Sequence, residues 1–220
     1  MKDQWREIYP GKSEELLKAL HILTRDGKLN QDSKRKLKQV LHLAQLITPK
    51  LETHKTIVDL GAGKSYLGFI LYDLLLRNHD EMSLLAVESR KDLITTCQTI
   101  ARASKFDRIQ FIESSIADSH AHLPPTVDVI TALHACDTAT DDAILLGLKK
   151  EAKVIALVPC CQAEVARSLE SLSSGTLKPL WAQGIHRREF GSHLTNVIRC
   201  LVLEAHGCKV RATEIIGFEH

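Results

Sequence analysis

The stretch Thr56 to Phe69, T-I-V-D-L-G-A-G-K-S-Y-L-G-F, limits the possible folds more than any other part of this chain. Thr56 to Leu60 is a short apolar run rich in β-branched residues and bounded by glycine, which predicts a buried parallel strand. Ser65 to Leu76 is apolar at helical spacing and long enough to be a helix. Between them, Gly61-Ala62-Gly63 allows positive φ and lets a ligand approach bare backbone. The helix that follows points free N–H groups at the same place. Asp59, a polar residue near the end of a buried strand, is costly there unless its carboxylate has hydrogen-bond partners. A strand, a glycine turn and a helix in this order predict a site for a nucleotide-like cofactor.

Spacing separates the candidate cofactors. A phosphate-cradling loop needs Gly-x-x-x-x-Gly-Lys-Ser/Thr. Gly63-Lys64-Ser65 supplies the end of that motif, but Val58 stands where its first glycine belongs. A dinucleotide fingerprint needs Gly-x-Gly-x-x-Gly. Gly61 and Gly63 fit, but Tyr66 replaces the third glycine, which weighs against NAD and FAD. What remains is D-x-G-x-G followed by an acid at the end of the next strand. Leu84 to Val87 is that strand, and Glu88 is that acid. It lies 27 residues past Gly61, somewhat beyond the usual ~20. A carboxylate there can accept both ribose hydroxyls of an adenosine.

Val58 to Leu67, V-D-L-G-A-G-K-S-Y-L, resembles motif I of class I S-adenosylmethionine (SAM) methyltransferases. Leu133 to Ile144, L-H-A-C-D-T-A-T-D-D-A-I, and Val158 to Gln162, V-P-C-C-Q, resemble a narrower group with H-x-C-x-x-A-T-D and a paired cysteine after the next strand. Eukaryotic tRNA ribose 2′-O-methyltransferases carry a similar pair of motifs, as do several uncharacterised methyltransferase-like proteins. The resemblance runs from about Lys34 to the C-terminus. It implies a doubly wound, mostly parallel α/β sheet of Rossmann-like type, SAM as cofactor, and methyl transfer as the activity. It places Asp59, Gly61, Ala62, Gly63, Lys64 and Glu88 around the cofactor. An Asp often follows the third strand in that family and holds the adenine. Here Ser115 stands in its place, so Ser115 and the backbone of Ile116 are expected to make that contact, with Asp118 in reserve. The family closes its sheet with an antiparallel strand pair. One partner is wanting after His220, so a seventh strand is expected to be absent or the sequence cut short.

Composition agrees with a folded domain. At 220 residues, 44% hydrophobic and 25% charged, the chain can bury a sizeable core and is not disordered. A net charge of +2 neither demands nor excludes nucleic acid. Met1 to Pro10 is polar, and no run nears the ~20 apolar residues of a membrane span. A cytoplasmic protein with no membrane partner is expected. The six cysteines form no C-x-x-C pair, which weighs against a structural zinc site. Cys97 and Cys200 read as buried apolar thiols.

Two helices are expected before the first strand. Ser13 caps Ser13 to Thr24, whose Leu16, Leu17, Leu20 and Leu23 form one stripe. Asp32 caps the second, which runs to about Ile47 and ends at Pro49. Residues 1–50 therefore read as a helical cap over the cofactor domain, residues 51–220. Lys34, Arg35, Lys36 and Lys38 open the second helix. They read either as phosphate contacts for a nucleic acid or as a solvated face. Later elements are a helix Asp92 to Ala103, strands Arg108 to Ile112, Val127 to Leu133 and Lys153 to Val158, and a helix Glu164 to Leu172. Gln183 to Leu194, a mix of Gly, His, Arg and aromatic residues, reads either as a substrate wall or as an ordinary polar surface loop, followed by a helix Thr195 to His206 and a sixth strand Lys209 to Ile216.

Ligands in doubly wound sheets lie beyond the carboxyl ends of the strands. That puts His134 to Asp137 beside the reacting methyl group. His134 and Asp137 are the candidate bases for a weak nucleophile such as a ribose hydroxyl, and His134 also borders the cofactor. Cys160 is the candidate thiol, although a thiolate nucleophile is disfavoured because only the Pro159-Cys160 dipeptide matches. Zinc held by Cys136, Cys160, Cys161 and His134 is disfavoured because adjacent cysteines rarely ligate one ion, so no metal is expected. Asp141 reads as a helix cap. No Asn/Asp-Pro-Pro-Tyr motif is present, which weighs against an amide or adenine amino group as acceptor. RNA is the favoured acceptor; the alternatives are a protein, a small molecule, or a non-catalytic scaffold of the same fold.

Overall fold

The computed structural model describes residues 13–29, 31–51, 55–133, 135–159, 163–171 and 175–215. Five parallel strands form one sheet in the order β3-β2-β1-β4-β5. They are β1 (Thr56–Leu60), β2 (Ser83–Glu88), β3 (Ile109–Glu113), β4 (Val129–Leu133) and β5 (Val154–Val158). The strand order reverses between β1 and β4, which sets the ligand crevice at their carboxyl ends. The helices are α1 (Glu14–Ala19), α2 (Gln31–Leu51), α3 (Tyr66–Leu74), α4 (Lys91–Ala103), α5 (Thr138–Lys149), α6 (Glu164–Glu170) and α7 (Gly184–Ala205). This is the expected α/β fold with helices ahead of the first strand.

Strand alternation divides the core in two. Ile57, Leu84 and Val129 join one cluster with α1 to α4, including Leu16, Leu37, Phe69 and Cys97. Val58, Leu85 and Ile130 join the other with Ile116, Ala143 and Leu146. Both faces are covered, which is why these strands read as continuous apolar runs. Asp128 ties the opposite edge of the sheet together. It accepts from the backbone N–H groups of Lys55 (2.9 Å) and Thr56 (3.1 Å) and from Lys153 Nζ (2.8 Å). Burial pushes its carboxyl up, but these bonds and the lysine charge prevail and hold it down at about 2.

Several expectations need correction. Ser13 does cap α1, accepting from the Leu16 N–H at 3.2 Å. The helix nevertheless stops at Ala19, and His21 turns left-handed (φ 57°). Pro49 does not end α2 but lies inside it. It falls in the last turn, where a missing N–H interrupts one bond only, and Leu51 beyond it is buried at 1% exposure. Gln183 to Leu194 is not a loop, because Gly184–Ala205 is one helix. Gly191 serves packing there. A Cβ on it would meet the backbone N of Ala166 at 2.8 Å, so its bareness lets α7 lie against α6. Lys209 to Ile215 is not a strand. Neither of its alternating faces is continuously apolar, since Glu214 interrupts one and Arg211 and Thr213 the other. Cys200 is half-buried rather than buried. No helix among the described residues is long and apolar enough to cross a membrane.

Candidate functional site

The glycine turn takes the predicted backbone. Gly61 has φ +64° and Gly63 φ +58°, a region in which other residues are strained. Ala62 N–H donates to the Val87 carbonyl at 2.9 Å, so the turn is pinned to β2. Gly63 N–H donates to Glu88 Oε2 at 2.7 Å. Glu88 Oε1 accepts from the Arg90 backbone N–H and from Arg90 Nε, both at 3.1 Å. Burial pushes the Glu88 carboxyl up, but the bonds from Arg90 and Gly63 and the Arg90 charge outweigh it. The net shift is downward, and the group is a carboxylate at neutral pH.

Ile116 sits against the other side of the turn, its Cδ1 3.7 Å from the place a Cβ on Gly61 would occupy. Ser115 and Asp118 act as a unit. Ser115 Oγ donates to Asp118 Oδ2 at 2.6 Å and accepts from the Asp118 N–H at 3.1 Å. Lys64 is exposed and lines a cavity of about 210 Å³ with Leu20, His21, Cys97 and Ile100. Cys97 Sγ lies 3.8 Å from the Gly63 carbonyl. Burial, aided by the Glu88 charge and opposed by Lys64, pushes its thiol up to about 11, so it stays protonated and unreactive.

Asp59 pairs in register with Thr131 of β4. Thr131 Oγ1 donates to Asp59 Oδ1 at 2.9 Å. Burial pushes the Asp59 carboxyl up to about 7, against the smaller opposing effect of that bond. The sequence shows the acid, but only strand register reveals its partner.

Beyond β4 the chain makes a second irregular turn. Asp137 has φ 51° and ψ −126° at the start of α5, a conformation that costs a non-glycine residue of order 1–3 kcal/mol. Its carboxylate accepts from Arg167 Nη2 at 3.2 Å and from the Ala163 N–H at 3.4 Å. Thr140 Oγ1 donates to the Ala135 carbonyl at 2.6 Å. Asp141 is not a simple cap: it receives a two-pronged ion pair from Arg199 of α7 (Nε to Oδ1 2.6 Å, Nη2 to Oδ2 2.9 Å). Arg199 escaped the sequence reading, although one signal was visible: a lone arginine inside Val197-Ile198-Arg199-Cys200-Leu201-Val202-Leu203.

Asp59, Gly61, Ala62, Gly63, Lys64, Glu88 and Ile116 thus gather at one edge of the sheet, and Asp137 lies beyond β4 at the same edge. His134 and Cys160 lie outside the described residues, as do Cys161 and Gln162. Among the described residues, no cluster of three or more His, Cys, Asp or Glu side chains could hold a metal ion.

Comparison with known proteins adds three findings. In the solved structure of a SAH-bound methyltransferase from Podospora anserina, PaMTH1, the fold is similar, with a TM-score of 0.52 at 16% identity over 87% of this chain and 82% of that one. A glutathione S-transferase C-terminal domain-containing protein of Bos taurus is 27% identical over 147 residues, and its Homo sapiens counterpart is 26% identical over the same length. The match takes in 64% of this chain, which spans only about a fifth (21%) of the length of those relatives. A family model described as methyltransferase domain matches residues 35–168, well over half of the chain. The chain therefore belongs to the methyltransferase-domain family.

Proposed function

We propose that this chain is a SAM-dependent methyltransferase that acts on RNA. The observation that carries the proposal is the opening of α2, where Arg35, Lys36 and Lys38 are exposed while Leu37 between them is fully buried. Packing of Leu37 turns the basic side chains outward, where they suit a phosphate backbone. The H-x-C-x-x-A-T-D and Pro-Cys-Cys motifs, which resemble a pair in tRNA ribose 2′-O-methyltransferases, support the same choice.

The residues at the glycine turn fit SAM. The bare turn leaves space against Ile116, and Glu88 offers a charged carboxylate for the ribose hydroxyls. Asp59, Gly61, Ala62, Gly63, Lys64 and Glu88 are assigned to the cofactor, with Ser115 and Ile116 at its adenine end and His134 at its reacting end. The bound cofactor supplies a methyl group on a sulfonium whose departure needs no proton. This chain's task is then to hold the acceptor in line, an alignment worth several kcal/mol. Asp137 and His134 are assigned to orienting the acceptor hydroxyl and taking its proton, with Cys160 kept as the candidate thiol. A cytoplasmic setting accords with Cys97, Cys200 and Cys208 being free thiols.

The test is incubation of the purified protein with tritiated SAM and, separately, total RNA, a protein extract and a small-molecule extract. Label in the RNA fraction, lost in Asp137→Ala, is the expected result. Label confined to protein or small molecules would overturn the RNA assignment.

A further inference from the structure

We propose that Arg199 is the positioning residue of the reacting edge: it fixes the backbone of Asp137 and thereby the approach of the acceptor. This rests on the assignment of Asp137 to that edge. Residue 199 lies outside the matched family region, residues 35–168.

Three observations converge. First, one guanidinium holds two things at once. It grips Asp141 with two bonds, and its Nη2 also donates to the Asp137 carbonyl at 2.9 Å. That carbonyl belongs to a residue with φ 51° and ψ −126°, a conformation that persists only where its surroundings impose it. Of the other contacts on Asp137, the Arg167 ion pair is exposed and the Ala163 bond is long at 3.4 Å. Thr140 N–H reaches the same carbonyl at 3.3 Å. Arg199 therefore makes the shortest bond among these.

Second, the arrangement is a poor way to gain stability. The Arg199 side chain is 8% exposed, and its Nη1 is buried with no partner among the described residues. Apolar replacement of buried ionic groups is often neutral or stabilising. What an apolar side chain could not do is join Asp141 to the Asp137 carbonyl.

Third, α7 is turned the wrong way for a helix placed by burial alone. Val197, Ile198, Leu201 and Val202 are 40–57% exposed while the arginine among them points inward. Burial would rotate that apolar stripe toward the protein. Instead the guanidinium, with Gly191 against Ala166, sets the rotation.

The test compares wild type with Arg199→Met and Arg199→Lys in the full chain, and reads out more than activity. Amide exchange at residues 135–141 is expected to quicken about tenfold or more in Arg199→Met, while β1 and β2 stay protected. Affinity for SAH, measured by calorimetry, is expected to hold within about threefold. If RNA is the acceptor, kcat falls at least about tenfold with KM for SAM unchanged, and Arg199→Lys recovers part of it. Asp141→Asn, which weakens one side of the fork, is expected to give the same exchange signature at smaller size. Unaltered exchange at 135–141, or global unfolding of Arg199→Met, would overturn the assignment. Failure of the RNA assignment alone would leave the exchange result standing, so the two failures are distinguishable.

Discussion

The backbone N–H of Gly63 donates to Glu88 Oε2 at 2.7 Å, so the turn that closes β1 is fastened to the last residue of β2. Among the described residues, the other carboxylate oxygen is held by Arg90 and, at a long 3.5 Å, by Ser89. The Arg90 side chain is 64% exposed, so it can swing away.

Removing that guanidinium leaves Glu88 tied to Gly63 and leaves Oε1 with the backbone N–H of residue 90 and the long Ser89 bond, one donor fewer than before. Arg90→Ala is expected to bind SAH at least as tightly as wild type in calorimetry. A loss greater than about tenfold would show that the arginine itself contacts the ligand.

Asp59 gives the protein a pH signature. Its folded carboxyl is raised from 3.8 to about 7 by burial. Between about pH 4 and pH 7 the folded protein holds a proton that the unfolded chain releases, so this group's contribution to stability falls as pH rises through that window. Asp59→Asn cannot titrate and keeps an acceptor for Thr131. The difference in Tm between the variant and wild type is expected to grow in the variant's favour from pH 5 to pH 8. Parallel curves would contradict a buried, shifted carboxyl.

Ser65 combines two liabilities. Its φ is +51°, and its buried Oγ has no partner among the described residues. Ser65→Gly removes both and is expected to stabilise the protein by about 1 kcal/mol, raising Tm by about 2–4 °C. A fall in Tm would mean that the hydroxyl is engaged. Gly68→Ala offers the opposite case, since its Cβ would lie 2.5 Å from the same Oγ.

Close packing of α6 and α7 depends on one missing methyl group. Gly191→Ala would press on the Ala166 backbone at 2.8 Å, and overpacking of this kind costs about 1–3 kcal/mol. Gly184→Ala, in open space on the same helix, is expected to be neutral or mildly stabilising. Equal effects in chemical denaturation would contradict the contact.

Local signals in the sequence carried the strand, turn and helix from Thr56 to Phe69 and the acid at the end of β2. Each depends on neighbours within a few residues: a β-branched run, a glycine pair, an apolar period. The misses are long-range. Thr131 faces Asp59 only through strand register, across 72 positions. Arg199 reaches Asp141 across 58. Gln183 to Leu194 looked like a loop because glycine and polar residues break an apolar pattern, yet Gly191 is there to let two helices touch. Lys209 to Ile215 looked like a strand by position in the family's order, while its own residues lack a continuous apolar face.

Calorimetric titration of SAH into wild type and Glu88→Ala tests the central claim most directly. The glycine turn and Glu88 are expected to give saturable binding in wild type. Loss of the carboxylate should weaken it about 10- to 100-fold, equivalent to ~1.4–2.7 kcal/mol. Equal affinity in the two proteins, or no heat with wild type, would contradict a cofactor held at this turn.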